Sequence, residues 1–132
     1  MKPIVEIPEY KIIDKVVSLV DKTIKGLLVT TSLRDSDLPK KYNLTLRQVL
    51  DRGIKVERYC FGSLKKFKEY QKMIDKRIKL FLVRDQKFYQ RLIISDNSKM
   101  FFKIGKHFFY TENPLIIKGF VEYIRGLKFT VK

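Results

Sequence analysis

The sequence predicts an α/β domain built on a mixed β-sheet flanked by helices, and three observations carry that prediction. Apolar residues recur every three to four positions in several stretches, short β-branched or aromatic runs separate those stretches, and from residue 78 onward the period falls to two. The resulting order is helix, strand, helix, strand, helix, several strands, helix. Strands joined through helices run parallel and strands joined by hairpins run antiparallel, so the sheet must contain both kinds of pair. At 132 residues and 15.8 kDa the chain has the length of one domain, expected to span 1–132.

The first element is "EYKIIDKVVSLVDKTI". Ile12, Ile13, Val16, Val17, Val20 and Ile24 fall at helical spacing, with Lys11, Asp14, Lys15, Asp21 and Lys22 opposite, which gives an amphipathic helix over 9–25. "GLLVTTS" (26–32) follows as a buried strand, and the polar, proline-containing "LRDSDLPKKYN" reads as a surface loop. A helix over 44–52 has Asn43 or Thr45 as its cap and Gly53 at its end. "IKVERYCF" then alternates as a strand, and "SLKKFKEYQKMIDK" returns to helical spacing over 63–76. Leu64, Phe67, Tyr70 and Ile74 share one face of that helix, and Lys65, Lys66, Lys68 and Lys72 lie off it.

Four short strands come next, "IKLFLVRD", "KFYQRLIISD", "KMFFKI" and "HFFYT", joined at "DQ", "DNS" and "GK". "ENPLIIKGFVEYIRG" closes the chain as a helix over 113–126, capped by Asn113, started by Pro114, buried through Ile116, Ile117, Phe120, Val121 and Ile124, and stopped at Gly126.

Composition narrows the function. No uninterrupted apolar run approaches the ~20 residues of a membrane helix. The acids and lysines interrupting "MKPIVEIPEYKIIDKVV" exclude a signal-peptide core, so a soluble, cytoplasmic protein is expected. One cysteine and one histidine exclude a disulfide framework and leave few soft metal ligands; no metal or cofactor is called for. Cys60 reads as a small buried residue and His107 as a structural strand residue. A net charge of +15 with pI near 9.9 favours nucleic acid or another polyanion as partner. The abundance of lysine, with no alanine or tryptophan, also fits an AT-rich genome and life at high temperature.

"RGIKVERYCFGS", the strand ending "LIISD" and the closing "FFYTENPLIIKGFVEYI" together resemble the phospholipase D-like domain, and within it the C-terminal effector domain of archaeal TrmB-like transcriptional regulators. The resemblance covers residues 9–128 through short motifs. It implies a phospholipase D-like sheet and a regulatory role, in partnership with nucleic acid, an anionic ligand, a second copy of the chain or a partner regulator. No winged-helix segment of the kind such regulators carry is expected ahead of residue 9, so DNA contact would run through the lysine-rich surface, with Lys65, Lys66, Lys68 and Lys72 as candidates, or through another chain.

Catalytic members of the wider family carry His-x-Lys-x(4)-Asp. The histidine attacks phosphorus, the lysine neutralises the phosphate oxygens, and a second copy supplies the acid for the leaving oxygen. At the matching positions this chain has Tyr89, Arg91 and Asp96. A phenol with a reference pKa near 10 is poorly matched to proton transfer at neutral pH, whereas imidazole near 6.5 is well matched. Arg91 can still hold a phosphate, and bidentately. The Gly-Ser and Asn that usually follow the motif in catalytic members are absent after Asp96, and Phe109 stands where His107 would need a lysine.

Tyr89, Arg91 and Asp96 are therefore candidates for a residual anion site, and no residue is assigned a catalytic role. Against that reading, residues 88–95 also alternate like any half-buried strand and "SDNS" is an ordinary turn. The expected function is a non-catalytic regulatory or binding module. The alternatives are a dimeric phosphodiesterase or nuclease using Tyr89, and a structural or interaction protein of an archaeal virus or mobile element.

Overall fold

A computed structural model describes residues 2–34 and 40–127, apart from the side chains of 40–43. One seven-stranded mixed sheet organises it, in the order β1-β7-β6-β5-β2-β3-β4. The strands are β1 (Ile4–Ile7), β2 (Gly26–Ser32), β3 (Lys55–Phe61), β4 (Lys79–Val83), β5 (Leu92–Ser95), β6 (Lys99–Ile104) and β7 (His107–Thr111); the helices are α1 (Glu9–Asp21), α2 (Lys40–Asp51), α3 (Leu64–Met73) and α4 (Pro114–Leu127). β2, β3 and β4, which are linked through helices, pair in parallel. β2–β5, β5–β6, β6–β7 and β1–β7 are antiparallel.

Alternation along each strand builds a core on both faces. Leu27, Val29, Val56, Ile93 and Phe101 meet α1 and α2 on one face. Leu28, Tyr59, Phe61, Ile94, Met100 and Phe102 meet Ile117, Val121 and Ile124 of α4 on the other. Phe67 of α3 extends the first face over Cys60 and Leu82. Cys60 is fully buried, and that burial pushes its thiol up to about 12 against the pull of Arg58, so it packs as the sequence suggested.

The local signals that held are those with specific backbone chemistry. Gly53, at φ +80°, ends α2: its N–H reaches the carbonyl of Leu50, and that of Ile54 reaches Val49, which is the Schellman arrangement. Asn113 caps α4 through its Oδ1, which accepts from the N–H groups of Leu115 and Ile116 at 3.0 and 3.3 Å. Ser63, not singled out from the sequence, caps α3 by accepting from the N–H of Lys66.

Other expectations need correction. β1, to which the sequence reading assigned no element, is an edge strand whose half-exposed Ile4 and Val5 show no clean alternation. α2 begins at Lys40, so Asn43 and Thr45 lie inside the helix and not at its cap. α1 and α3 stop short of 25 and 76, so Ile24 lies beyond the helix and is exposed; within α1, Ile13 is exposed and Leu19 takes an inward place. Gly126 sits within α4 and does not stop it. The expected strand over 87–96 shrinks to β5; a 3-10 turn, Gln86–Phe88, and an irregular stretch precede it. The Oδ1 of Asp85 caps that turn by accepting from the N–H of Lys87, which holds the backbone out of the ladder.

Candidate anion-binding site

Three residues singled out by the motif lie around β5, and the fold separates them. Asp96 follows the strand's last residue, in a four-residue turn closed by the Ser98 N–H on the Ser95 carbonyl at 3.0 Å. Asp96 and Asn97 both have φ of +54°, which is the type I′ hairpin geometry that Asp and Asn tolerate. The Asp96 carboxylate accepts from three consecutive backbone N–H groups ahead of and at the start of β2: Ile24 (3.0 Å), Lys25 (2.6 Å) and Gly26 (3.0 Å). Partial burial alone would raise its pKa. The N–H groups of Gly26, Ile24 and Lys25 outweigh that, and the carboxyl lies below the usual range.

Tyr89 is part-buried and packs edge-on against Phe61, centroids 5.4 Å apart at 62°, among the aromatic residues on the α4 side. Arg91 is exposed and lines a cleft of about 290 Å³ on the opposite, α1 side. The backbone around it is irregular but tethered. The Thr30 hydroxyl donates to the Gln90 carbonyl at 2.6 Å and accepts from the Leu92 N–H at 2.9 Å, replacing ladder bonds that β2 and β5 no longer make. The Gln90 amide donates to the Lys103 carbonyl.

The sequence reading missed Lys103. Its N–H donates to the Arg91 carbonyl at 3.0 Å, one step beyond the Leu92–Phe102 pair, so Arg91 and Lys103 stand directly opposite each other. Both continue the alternation of Ile93 and Phe101 on the α1 face, and both line the cleft. The spacing of two residues from Phe101 was the available signal, but it has meaning only once the β5–β6 register is known.

Lys65, Lys66, Lys68 and Lys72 are exposed on α3, beyond β2 from the Arg91 cleft, and none forms an ion pair with a described residue. Arg77 holds Asp51 at 2.7 Å and Asp75 at 2.8 Å, and its guanidinium keeps the Asp75 carboxyl at about 2; Glu69 is the acid that lies among the lysines on α3. His107 is exposed on β7 and its Nδ1 lies 2.6 Å from Glu6 Oε1 on β1, which tethers the edge strand. Among the described residues no group of three or more His, Cys, Asp or Glu side chains is placed to hold a metal ion, and no helix is long and apolar enough to cross a membrane.

A mixed sheet with this order and these two helical layers is a phospholipase D-like fold. Solved structures that share it include Nuc from Salmonella typhimurium, a phospholipase D family member, at a TM-score of 0.70 with 14% identity over 99% of both chains. TrmBL2, an archaeal chromatin protein with a novel mode of DNA binding, also matches at a TM-score of 0.70, with 19% identity over 96% of this chain; the present chain spans about half (49%) of that protein's length. NucT from Helicobacter pylori matches at 0.67 with 14% identity over 96% of this chain and 94% of its own. No family model and no curated protein sequence matches the chain. At these identities the likeness is one of fold.

Proposed function

We propose that this protein is a non-catalytic module of transcription or chromatin that binds nucleic acid through its basic surface. The observation that carries the reading is the exposed lysine row of α3, Lys65, Lys66, Lys68 and Lys72, on a chain of net charge +15. The similarity to a DNA-binding chromatin protein supports it. A field of this size attracts a phosphate backbone before any specific contact forms. Arg91 is retained as an anion-holding residue.

The same reading assigns no phosphodiester turnover. In place of the histidine of catalytic phospholipase D-like proteins stands Tyr89, packed on Phe61, and a phenol is poorly matched to protonating a leaving oxygen at neutral pH. Arg91 attracts a phosphate without supplying that proton.

Fluorescence anisotropy with a labelled duplex, measured across a salt series, tests the binding. Each phosphate neutralised contributes about 0.9 to the log-log slope, so replacing the four α3 lysines by alanine lowers the slope by about 3 to 4 if all four make contact. Absence of binding to DNA and RNA at low salt, or an unchanged slope in the quadruple variant, overturns the assignment. Turnover of bis-nitrophenyl phosphate or DNA that disappears in Tyr89→Phe would instead establish the phosphodiesterase alternative.

A further inference from the structure

The cleft between α1 and the β5–β6–β7 part of the sheet is not used by the lysines of α3. Its walls are apolar: Ile13, Val16 and Val17 of α1 face Ile93, Phe101 and Phe108 of the sheet. Its volume of about 290 Å³ lies at the lower end of small-molecule sites and holds about ten water-sized units. Arg91 and Lys103 line the same space, as do the Thr30 hydroxyl and, from the first turn of α1, Glu9.

The two cations stand opposite each other on one face, and neither forms an ion pair with a described residue. Like charges directly opposite each other on one face of an antiparallel pair repel, and the usual remedy is an acid between them. None of Arg91, Lys103 and Glu9 forms an ion pair with a described residue; the Lys103 ammonium rests over the Phe108 ring at 5.2 Å. Two cations against one carboxylate leave this end of the cleft with a net positive charge. An anionic head placed there relieves the repulsion, and an apolar body behind it covers α1 residues that the sheet leaves open, including Ile13 at 48% exposure.

We propose that this cleft binds a small amphipathic anion, an alkyl or aryl body of about ten heavy atoms carrying a carboxylate or phosphate monoester head, with Arg91 and Lys103 holding the head. The inference shares Arg91 with the reading above but not the α3 lysines. A basic surface for nucleic acid requires no apolar cavity, so either can fail alone.

Calorimetric titration of the full chain with octanoate, octyl phosphate and octanol, all kept below micelle formation, tests it without nucleic acid present. Octanoate or octyl phosphate binds at one site, and octanol, with the same body and no charge, binds at least tenfold more weakly. The tighter of the two anions identifies the head. Arg91→Ala and Lys103→Ala each weaken the preferred anion about tenfold or more, as expected for loss of a charge-assisted contact. Ile13→Glu, at a half-exposed wall position that leaves the core intact, abolishes binding. All three variants retain the wild-type melting transition, and Lys103→Ala and Ile13→Glu retain the salt slope for duplex DNA conferred by α3.

Equal binding of octanol and the anions, anion affinity unchanged in both Arg91→Ala and Lys103→Ala, or no binding of any of the three ligands overturns the proposal. Loss of DNA binding in the α3 lysine variant, with octanoate binding intact, would separate the two sites. Failure of DNA binding alone leaves the cleft supported and removes only the nucleic-acid reading.

Discussion

The two ends of β5 do opposite things. At its C-terminal end the Asp96 carboxylate is occupied by three backbone N–H groups and the chain reverses in a tight I′ turn. At its N-terminal end the backbone leaves the ladder, the Arg91 guanidinium forms no ion pair with a described residue, and it faces a like charge across the pair. A group whose polar atoms are all engaged by the protein is a structural device, whereas charge held on a cleft wall without compensation is available to a ligand. Fold likeness alone draws no such distinction.

The comparison breaks most visibly at Asp96. Asp96→Ala strips the acceptor from three N–H groups, two of them solvent-accessible and able to rehydrate, so a loss of about 1.5 to 3 kcal/mol in chemical denaturation is expected. Arg91→Ala should change stability by less than about 0.5 kcal/mol, as surface substitutions do. Equal effects at the two positions would erase the contrast.

Acid sharpens it. The Asp96 carboxyl is depressed in the folded state, so its contribution is fully present above the unfolded carboxylate value near 3.9 and is lost as pH falls through the lower folded value. The stability difference between wild type and Asp96→Ala should therefore persist from pH 7 to about pH 5 and shrink below about pH 4. A difference that stays constant to pH 2 would show that the carboxylate charge is irrelevant to the cap.

Smaller effects follow at Tyr89 and Asn97. Tyr89→Phe keeps the aromatic contact with Phe61 and removes only the hydroxyl, so it should cost at most about 1 kcal/mol and leave DNA binding unchanged. A larger loss would place the phenol in the same structural class as Asp96. Asn97→Gly, at φ +54° in a turn that favours Asp-Gly, should stabilise by no more than about 0.5 to 1 kcal/mol in thermal or urea melts. Destabilisation there would mean that the Asn97 side chain, and not its backbone conformation, holds the hairpin.

Sequence alone determined what depends on near neighbours in the chain. The periodicity of residues 9–21 and 114–127, the Schellman glycine at 53, the Asn113 cap and the "DNS" hairpin are all consequences of contacts within a few residues, so the mixed sheet and its helices were legible. The motif positions could likewise be read, since spacing along a chain requires no fold. Only the tertiary structure decided where those positions point. β1 has half-exposed residues and exists because β7 offers it a partner, which no local pattern reports. Residues 88–91 alternate like a strand, yet the Asp85-capped turn and the Thr30 hydroxyl draw them out of the ladder. The pairing of Arg91 with Lys103, the meeting of Asp96 with Ile24, Lys25 and Gly26 across some seventy residues, and the cleft under α1 arise from register between strands. Register is set by the packing of both sheet faces at once, and that is a property of the whole chain rather than of any stretch within it.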